Sequence, residues 1–224
     1  MADVRLIQKA AENSRNVVVV GSSFIGIETC FSIKDFMGEK VNVTCVSADQ
    51  PFARAFGPKV GQVLQKLHEE NGIKFVNNTT VENFSPSATA NSQVGSVKLS
   101  NGQTIDADLV VTGVGTIPNT EYLGKEFVRT KSGHIEVSKA LKTGVPNVFA
   151  AGDIISIKGT VVEHYGVAMD NGAYAAMNMM GKNARYTEVG SFWTRFWGFG
   201  VQYIGWGGAW DRVVIDGDLE GRKF

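Results

Sequence analysis

Four consecutive valines that run into a glycine turn constrain the fold of this chain more than any other feature. The stretch Asn16–Glu28 is NVVVVGSSFIGIE. Val17–Val20 is short, β-branched and apolar on both faces, as is typical of a buried strand in a parallel sheet. Apolar residues after the turn recur at helical spacing. The stretch therefore predicts a strand, a tight turn and a helix.

The turn has nearly the spacing of a dinucleotide-binding fingerprint. At such a junction, free N–H groups and the helix dipole can hold a pyrophosphate. The expected pattern is G-x-G-x-x-G, and this chain has Gly21-x-Ser23-x-x-Gly26. The Cβ of Ser23 adds bulk beside the phosphates, although its hydroxyl can donate to a phosphate oxygen. The alternative is a structural turn that binds no ligand.

The next elements predict a mononucleotide-binding half-fold. We expect strands at Lys40–Val46 and Ile73–Val76, a loop over Ser47–Gly57 and a helix over Lys59–Glu70. With the first strand and its helix, this gives β-α-β-α-β.

A small antiparallel meander is predicted next, from Thr79 to Ile105, because Asn101-Gly102 between β-type segments indicates a hairpin. A core strand at Asp108–Gly113 follows. Further on we expect a short buried strand over 147–153, ending in Gly-Asp, and a helix over Val167–Met180.

Bulk properties exclude several function classes. The 224 residues carry 22 basic and 22 acidic side chains, and this zero net charge argues against a general nucleic-acid binder. No apolar run approaches the roughly 20 residues of a membrane span, and the first residues lack the apolar core of a secretory signal. Cys30 and Cys45 form no CxxC pattern and are expected to pack rather than to do redox chemistry. No metal site is expected.

Four segments together resemble the FAD-dependent pyridine nucleotide-disulfide oxidoreductase superfamily: GSSFIGIE, TGVGTIPN, VFAAGD and VEHYGVAMDNGAYAAMNMMG. Within it the chain is similar to the apoptosis-inducing-factor-like branch. PFARAFGPKVG, SFWTRFWGFGVQYIGWG and VVIDGDLEGRKF most resemble its Rieske-associated, Nfrl-type members.

The resemblance implies an α/β fold in three parts. Residues 1–119 would form a Rossmann-like, three-layer NAD(P)H-binding domain with the inserted β-meander. Residues 120–185 would form the second segment of an FAD-binding domain, and residues 186–224 the start of an α+β C-terminal domain. It further implies a fragment that lacks the N-terminal FAD-binding unit and the end of the C-terminal domain.

The resemblance also assigns the NAD(P)H site. Glu28 matches a glutamate near the nicotinamide and is the catalytic candidate, the alternative being a charge that the helix dipole favours. Ser47 stands where an acid would accept hydrogen bonds from the adenine ribose of NADH, and Arg54 is the nearest cation. The family slightly favours NADH. The expected binding residues are Gly21, Ser22, Ser23, Phe24, Ile25, Gly26, Ser47, Arg54, Gly113, Val114 and Gly115.

The FAD site is assigned in the same way, for the full-length parent. Asp153, after Gly152, matches the aspartate that hydrogen-bonds the ribityl chain, with a turn-capping role as the alternative. Glu163-His164-Tyr165 stands where relatives carry Glu-His-Trp beside the flavin, and Tyr keeps a smaller stacking face. His164 is assigned no chemical step, because a lone histidine before a helix is more often a packed, hydrogen-bonded residue than a proton donor. The other two histidines are expected at the surface.

The implied function is hydride transfer from NAD(P)H to flavin, with electrons leaving to a protein or quinone-like acceptor. The alternatives are a catalytically incomplete dinucleotide-binding fragment and a regulatory or interaction module. All four tryptophans lie between Trp193 and Trp210. Their segment is either a partner surface or part of an incomplete sheet, whose exposure would favour self-association. Relatives imply a cytoplasmic or mitochondrial location rather than secretion.

Overall fold

The computed structural model describes residues 2–90, 92–205 and 210–224, which form two compact units. Unit 1 comprises residues 2–114, 195–199 and 210–224, and unit 2 comprises residues 115–194 and 200–205. Within the described helices, none is long and apolar enough to cross a lipid bilayer.

Unit 1 follows the predicted element order. In chain order its main elements are α1 (Ala2–Glu12), β1 (Asn16–Val20), α2 (Phe24–Met37), a 3-10 turn (Gly38–Lys40), β2 (Asn42–Val46), α3 (Ala53–Glu70), β3 (Ile73–Val76), β4 (Val81–Pro86), β5 (Val94–Leu99), β6 (Thr104–Asp106) and β7 (Leu109–Thr112).

A parallel sheet in the order β3-β2-β1-β7 forms the centre of unit 1. Val19 of β1 is in register with Cys45 on one side and Val111 on the other. β1 is buried on both faces, as its valine run predicts.

Two different layers cover the sheet. On one face, Val18 and Val46 pack against Val97 and Leu99 of the antiparallel β4-β5-β6 meander. On the other face lies α2, whose Ile27 and Cys30 side chains are buried. This arrangement confirms the predicted α/β class, with its parallel sheet and inserted antiparallel meander.

The loop predicted over 47–57 is wrong in its second half, because α3 begins at Ala53. The N–H groups of Ala55 and Phe56 donate to the carbonyl of buried Phe52, which closes one helical turn. Gly57 then leaves helical geometry (φ +79°), and Pro58 starts the second segment, where its missing N–H costs little. The Gly-Pro pair therefore kinks the helix instead of preceding it.

Unit 2 is built from shorter elements. They are β8 (Ile135–Val137), β9 (Ile155–Ile157), α4 (Tyr165–Met179) and the arms of a hairpin of β10 (Ser191–Phe196) and β11 (Phe199–Ile204). β8 and β9 are parallel, and their side chains form a core with buried Leu141 and Ala175.

The strand predicted over 147–153 is also wrong. Phe149 forms only an isolated bridge with Lys142, and the N–H of Ala150 donates to the carbonyl of Leu141. These backbone groups bond to a neighbouring turn, so they are not available for a strand ladder. The strand in this region is β9, just after the Gly-Asp pair.

The segment that carries the tryptophans is only partly exposed among its described residues. The hairpin tip, residues 195–199, belongs to unit 1, and within it Phe196 is fully buried. Its ring lies 5.8 Å from Phe31 and 5.9 Å from Phe52 between centroids. Trp193, in contrast, is exposed. Trp206 lies outside the described residues.

Candidate functional site

Three glycines bring the ends of β1 and β7 against the start of α2. A Cβ on Gly21 would overlap the carbonyl oxygen of Gly113, and φ of +103° at Gly21 disfavours any other residue. A Cβ on Gly26 would overlap the Gly21 carbonyl oxygen and lie 3.0 Å from its carbon. The helix N-terminus therefore sits in direct backbone contact with the carboxyl edge of the sheet, where α/β proteins bind dinucleotides.

Ser23 is the N-cap of α2. Its Oγ accepts from the N–H of Gly26 and donates to the carbonyl of Gly113, both at 3.4 Å. The hydroxyl thus stabilises the turn rather than pointing to an open phosphate position. In the fingerprint, a glycine would leave the Gly26 N–H uncovered.

Ser22 and Ser47 join the fingerprint turn to the end of β2. Their Oγ atoms are 2.5 Å apart, and Ser47 Oγ also lies 2.5 Å from the carbonyl oxygen of Asp49. Because a carbonyl only accepts, Ser47 donates to Asp49 and Ser22 donates to Ser47. Ser47 is 3% exposed, so a ribose contact would have to replace these bonds.

The charges after β2 form an exposed ion pair. Arg54 Nη2 donates to Asp49 Oδ2 at 2.9 Å, and both side chains are exposed. Arg54 is therefore held beside the carboxylate of Asp49. Asp49 lies two residues after Ser47, the position at which a ribose-binding acid was expected.

The remaining predicted residues of unit 1 flank the turn. Phe24 packs edge-on against Phe52 and Phe56, each at 5.9 Å, whereas Ile25 and Val114 are exposed. Glu28 is half-buried in the second turn of α2.

The two cysteines lie below this turn. Both are free and buried, and Cys45 Sγ is 3.7 Å from the Gly21 carbonyl oxygen. The hydrogen bond to Cys45, followed by burial, raises the pKa of the Cys30 thiol well above its ordinary value. A protonated, buried thiol is a poor nucleophile, so the predicted packing role fits this environment.

Unit 2 presents its predicted carboxylates to solvent. Gly152 has φ of +83°, and Asp153 after it is exposed. Glu163, also exposed, accepts a hydrogen bond from Thr116 Oγ1. Gly115 has φ of +110° and open space around its Cβ position, so a ligand could approach its backbone.

An aromatic group surrounds the start of α4. The His164 ring lies 4.8 Å from Tyr165 and 5.9 Å from Phe192, which in turn lies 5.1 Å from Tyr203. Tyr165 is 72% exposed, and His164 Nδ1 is buried with no hydrogen-bond partner among the described residues. Tyr165 thus offers a face for stacking.

Two histidines predicted at the surface are buried instead. His68 is 0% exposed and His134 is 5% exposed. His68 follows Leu64 by four residues and so continues the apolar stripe of α3, a pattern that indicated burial. His134 Nδ1 lies 2.9 Å from Ser132 Oγ, within a turn for which the sequence offers no periodic pattern.

Sequence reasoning also missed Arg129. Its guanidinium donates to four backbone carbonyls in the segment before it. An arginine inside a loop-rich stretch gives no sequence pattern that indicates this role.

A cavity of about 700 Å³ in unit 1 lies away from the turn. Its lining includes Asn16, Asn42 and Ile73, the first residues of three parallel strands. It is therefore at the amino edge of the sheet, opposite the edge where α/β proteins bind cofactors.

A comparison with protein-family profiles identifies the family of this chain. The profile described as pyridine nucleotide-disulphide oxidoreductase matches residues 1–172. The chain belongs to that family. The family predicted from the four sequence segments is thus confirmed.

Three relatives refine the family assignment. The chain is 35% identical over 223 residues to human Apoptosis-inducing factor 3, covering 94% of this chain and 35% of the relative. A ferredoxin reductase for the CYP199A2 system from Rhodopseudomonas palustris superposes with a TM-score of 0.87 at 27% identity, covering 97% and 54%. An FAD-dependent pyridine nucleotide-disulphide oxidoreductase from Desulfovibrio vulgaris gives 0.76 at 25% identity, covering 88% and 51%. The chain spans about a third to a half of these proteins.

Proposed function

We propose that this chain binds NAD(P)H at the β1–α2 turn and supplies part of the FAD surface of an NAD(P)H:acceptor oxidoreductase. The backbone contact among Gly21, Gly26 and Gly113 carries the proposal. It places the N-terminus of a 14-residue helix at the carboxyl edge of a parallel sheet. N–H groups and the helix dipole then converge on one point, which suits a pyrophosphate.

The residues around this point fit a dinucleotide. Ser22 donates to Ser47, so its lone pairs remain to accept a hydrogen bond at the turn. Glu28, one turn further along α2, would accept a hydrogen bond beside the nicotinamide. In unit 2, the open backbone of Gly115 leaves room for a ligand to approach.

Residues of unit 2 offer hydrogen-bond acceptors and a stacking face that suit a flavin. The exposed Asp153 carboxylate can accept hydrogen bonds from several hydroxyl groups. Glu163, His164 and the exposed Tyr165 ring would face the flavin. When bound, NAD(P)H supplies a hydride, and FAD accepts it and delivers electrons onward. Neither cysteine would relay electrons, because both thiols are buried.

The acceptor would be a protein, as the ferredoxin reductase from Rhodopseudomonas palustris suggests, with a quinone-like molecule as the alternative. NADH is the expected nucleotide, because the Asp49 carboxylate, although paired with Arg54, can accept hydrogen bonds from ribose hydroxyls but not from an ionised phosphate. The compartment, cytoplasmic or mitochondrial, stays a prediction.

The test combines a visible absorbance spectrum with nucleotide titration. We expect purified protein, incubated with FAD and desalted, to keep a flavin band. NADH should quench the protein fluorescence with a lower Kd than NADPH, and NADH should bleach the flavin band without oxygen.

Variants separate the two cofactors. Asp153→Asn should weaken FAD retention and leave the NADH titration unchanged, with Asp170→Asn on α4 as the matched control. Binding of NADH without FAD would support the alternative of a catalytically incomplete dinucleotide-binding module. No fluorescence response to either nucleotide would overturn the proposal.

A further inference from the structure

An aromatic cluster in unit 1 encloses a histidine that the proposed function does not use. His68 of α3 is completely buried. Its ring lies 4.7 Å from Phe196, 5.7 Å from Phe52, and 6.3 Å from both Phe75 and Trp197. Phe196 and Trp197 form the hairpin tip, so His68 lies where the tip meets α3.

This cluster contains one buried hydrogen-bond donor and one buried acceptor that both lack a partner among the described residues. His68 Nε2 and Trp197 Nε1 are both buried, and neither has a hydrogen-bond partner among the described residues. His68 Nδ1 lies 2.8 Å from the Leu64 carbonyl oxygen, which can only accept, so Nδ1 carries the hydrogen. In the neutral ring Nε2 is then an acceptor, whereas the indole N–H is a donor.

We propose that one buried water molecule joins Trp197 Nε1–H to His68 Nε2, and that this bridge holds the hairpin tip against α3 only while His68 is neutral. The water accepts from the indole and donates to the imidazole. A buried water of this kind commonly satisfies polar groups that cannot reach each other. The inference concerns the fold of unit 1 and does not rest on cofactor binding.

Protonation of His68 would disrupt this bridge. Nε2 would become a second donor, so the water would accept twice and both its hydrogens would face aromatic rings. A positive charge would also lie in an apolar enclosure, where it is strongly disfavoured.

Among the residues that the structure describes, no carboxylate acts on the His68 ring as a counter-ion. Phe52, Phe75 and the tip present rings to His68. The charged residues beside these elements, Glu69 on α3, Lys74 on β3 and Arg195 at the tip, are exposed. Burial lowers the pKa of His68, and the Leu64 carbonyl only partly opposes this effect.

The sign of the pH dependence follows from the lowered pKa. The docked tip is fully favoured above the ordinary histidine pKa of about 6.5. Below that pH an undocked, solvated His68 takes up a proton more readily than a docked one. Docking is therefore weakened progressively as the pH falls from about 6.5 toward the lowered pKa of the docked state.

Nuclear magnetic resonance of the whole chain tests the bridge. The indole N–H signal of Trp197 is assigned by its loss in Trp197→Phe. At pH 7.5 we expect the Nδ1–H tautomer of His68, an indole proton exchanging at least about tenfold more slowly than that of exposed Trp193, and a water–indole Overhauser effect. Below about pH 6.5, this protection should fall as His68 protonates.

Substitutions supply the controls. His68→Gln keeps an acceptor without a titrating group, so protection should persist and lose its pH dependence. His68→Phe removes the acceptor and should abolish protection at pH 7.5. His134→Gln, a second buried histidine in unit 2, should leave the Trp197 signal unchanged.

Three results would overturn the proposal. They are rapid indole exchange at pH 7.5, protection that persists while His68 titrates, and a direct indole–imidazole bond without water. If the His68 variants do not fold, the pH titration of the unmodified chain decides alone.

Discussion

The fingerprint turn of unit 1 and the Gly-Asp segment of unit 2 hold their predicted cofactor residues in different ways. At the turn, backbone packs on backbone, and Gly21 and Gly26 leave no space for a Cβ. In unit 2, Asp153 and Tyr165 are exposed and belong to segments fixed by turns and ring contacts. Substitutions at the turn should therefore lower the free energy of unfolding, whereas substitutions of the exposed residues in unit 2 should weaken only ligand binding.

The largest effect is expected for Gly26→Ala. The added Cβ would overlap the Gly21 carbonyl oxygen and force α2 away from the sheet. We expect a loss of about 3 kcal/mol in the free energy of unfolding, the upper part of the usual range for overpacking. Urea denaturation measures it.

Gly172→Ala is the matched control, because this exposed helical glycine of α4 has open space around its Cβ position. It should stabilise the chain by about 0.5–1 kcal/mol. Equal effects of the two substitutions would contradict the contrast between the regions.

Arg129→Met should have the next largest effect on the free energy of unfolding. Arg129 is a residue of unit 2 whose substitution should affect folding, as at the turn of unit 1. It removes the four hydrogen bonds to backbone carbonyls while keeping an unbranched side-chain stem. Bonds to a charged donor contribute about 1.5–3 kcal/mol, so we expect a loss of roughly 2 kcal/mol in urea denaturation.

Arg54→Met provides the comparison for Arg129. Its ion pair with Asp49 is exposed and should contribute less than about 1 kcal/mol. A cost for Arg54→Met as large as that for Arg129→Met would refute the structural role given to Arg129.

Substitution of Ser23 separates folding from binding at the turn itself. Ser23→Ala removes the helix cap and should cost about 1 kcal/mol, whereas Ser23→Gly should cost only a few tenths. Ser23→Gly also uncovers the Gly26 N–H and restores the fingerprint glycine, so NADH should bind more tightly. Thermal unfolding and NADH titration of both variants test this, and a weaker affinity in Ser23→Gly would show that the hydroxyl itself contacts the cofactor.

The smallest effect on stability is expected for Tyr165→Ala. The ring is mostly exposed, so its removal should change the unfolding free energy by less than about 0.5 kcal/mol. FAD retention should nevertheless fall. A large loss of stability with unchanged FAD retention would assign Tyr165 to packing instead.

Features of the fold that depend on local sequence were predictable, and features that depend on distant contacts were not. The strand at Val17–Val20 was predictable because an unbroken β-branched, apolar run indicates a buried strand. The strand predicted over 147–153 did not form, because its backbone groups bond within a turn to residues 141–145, a pairing that no local pattern reveals.

Side-chain environments follow the same rule. The burial of His68 depends on Phe196 and Trp197, far along the chain, although its position after Leu64 was a usable pattern. The bond between Ser22 and Ser47 likewise joins two loops that no local pattern connects.

The assignment of the hairpin tip to unit 1 has a consequence for synthesis on the ribosome. The parallel sheet can form once β7 has been synthesised. Phe31, Phe52 and His68, however, are covered only after Phe196 has been synthesised. During that interval the nascent chain exposes a ring-lined apolar surface of the kind that chaperones recognise. Unit 1 begins folding early and finishes only after unit 2 has almost entirely been translated.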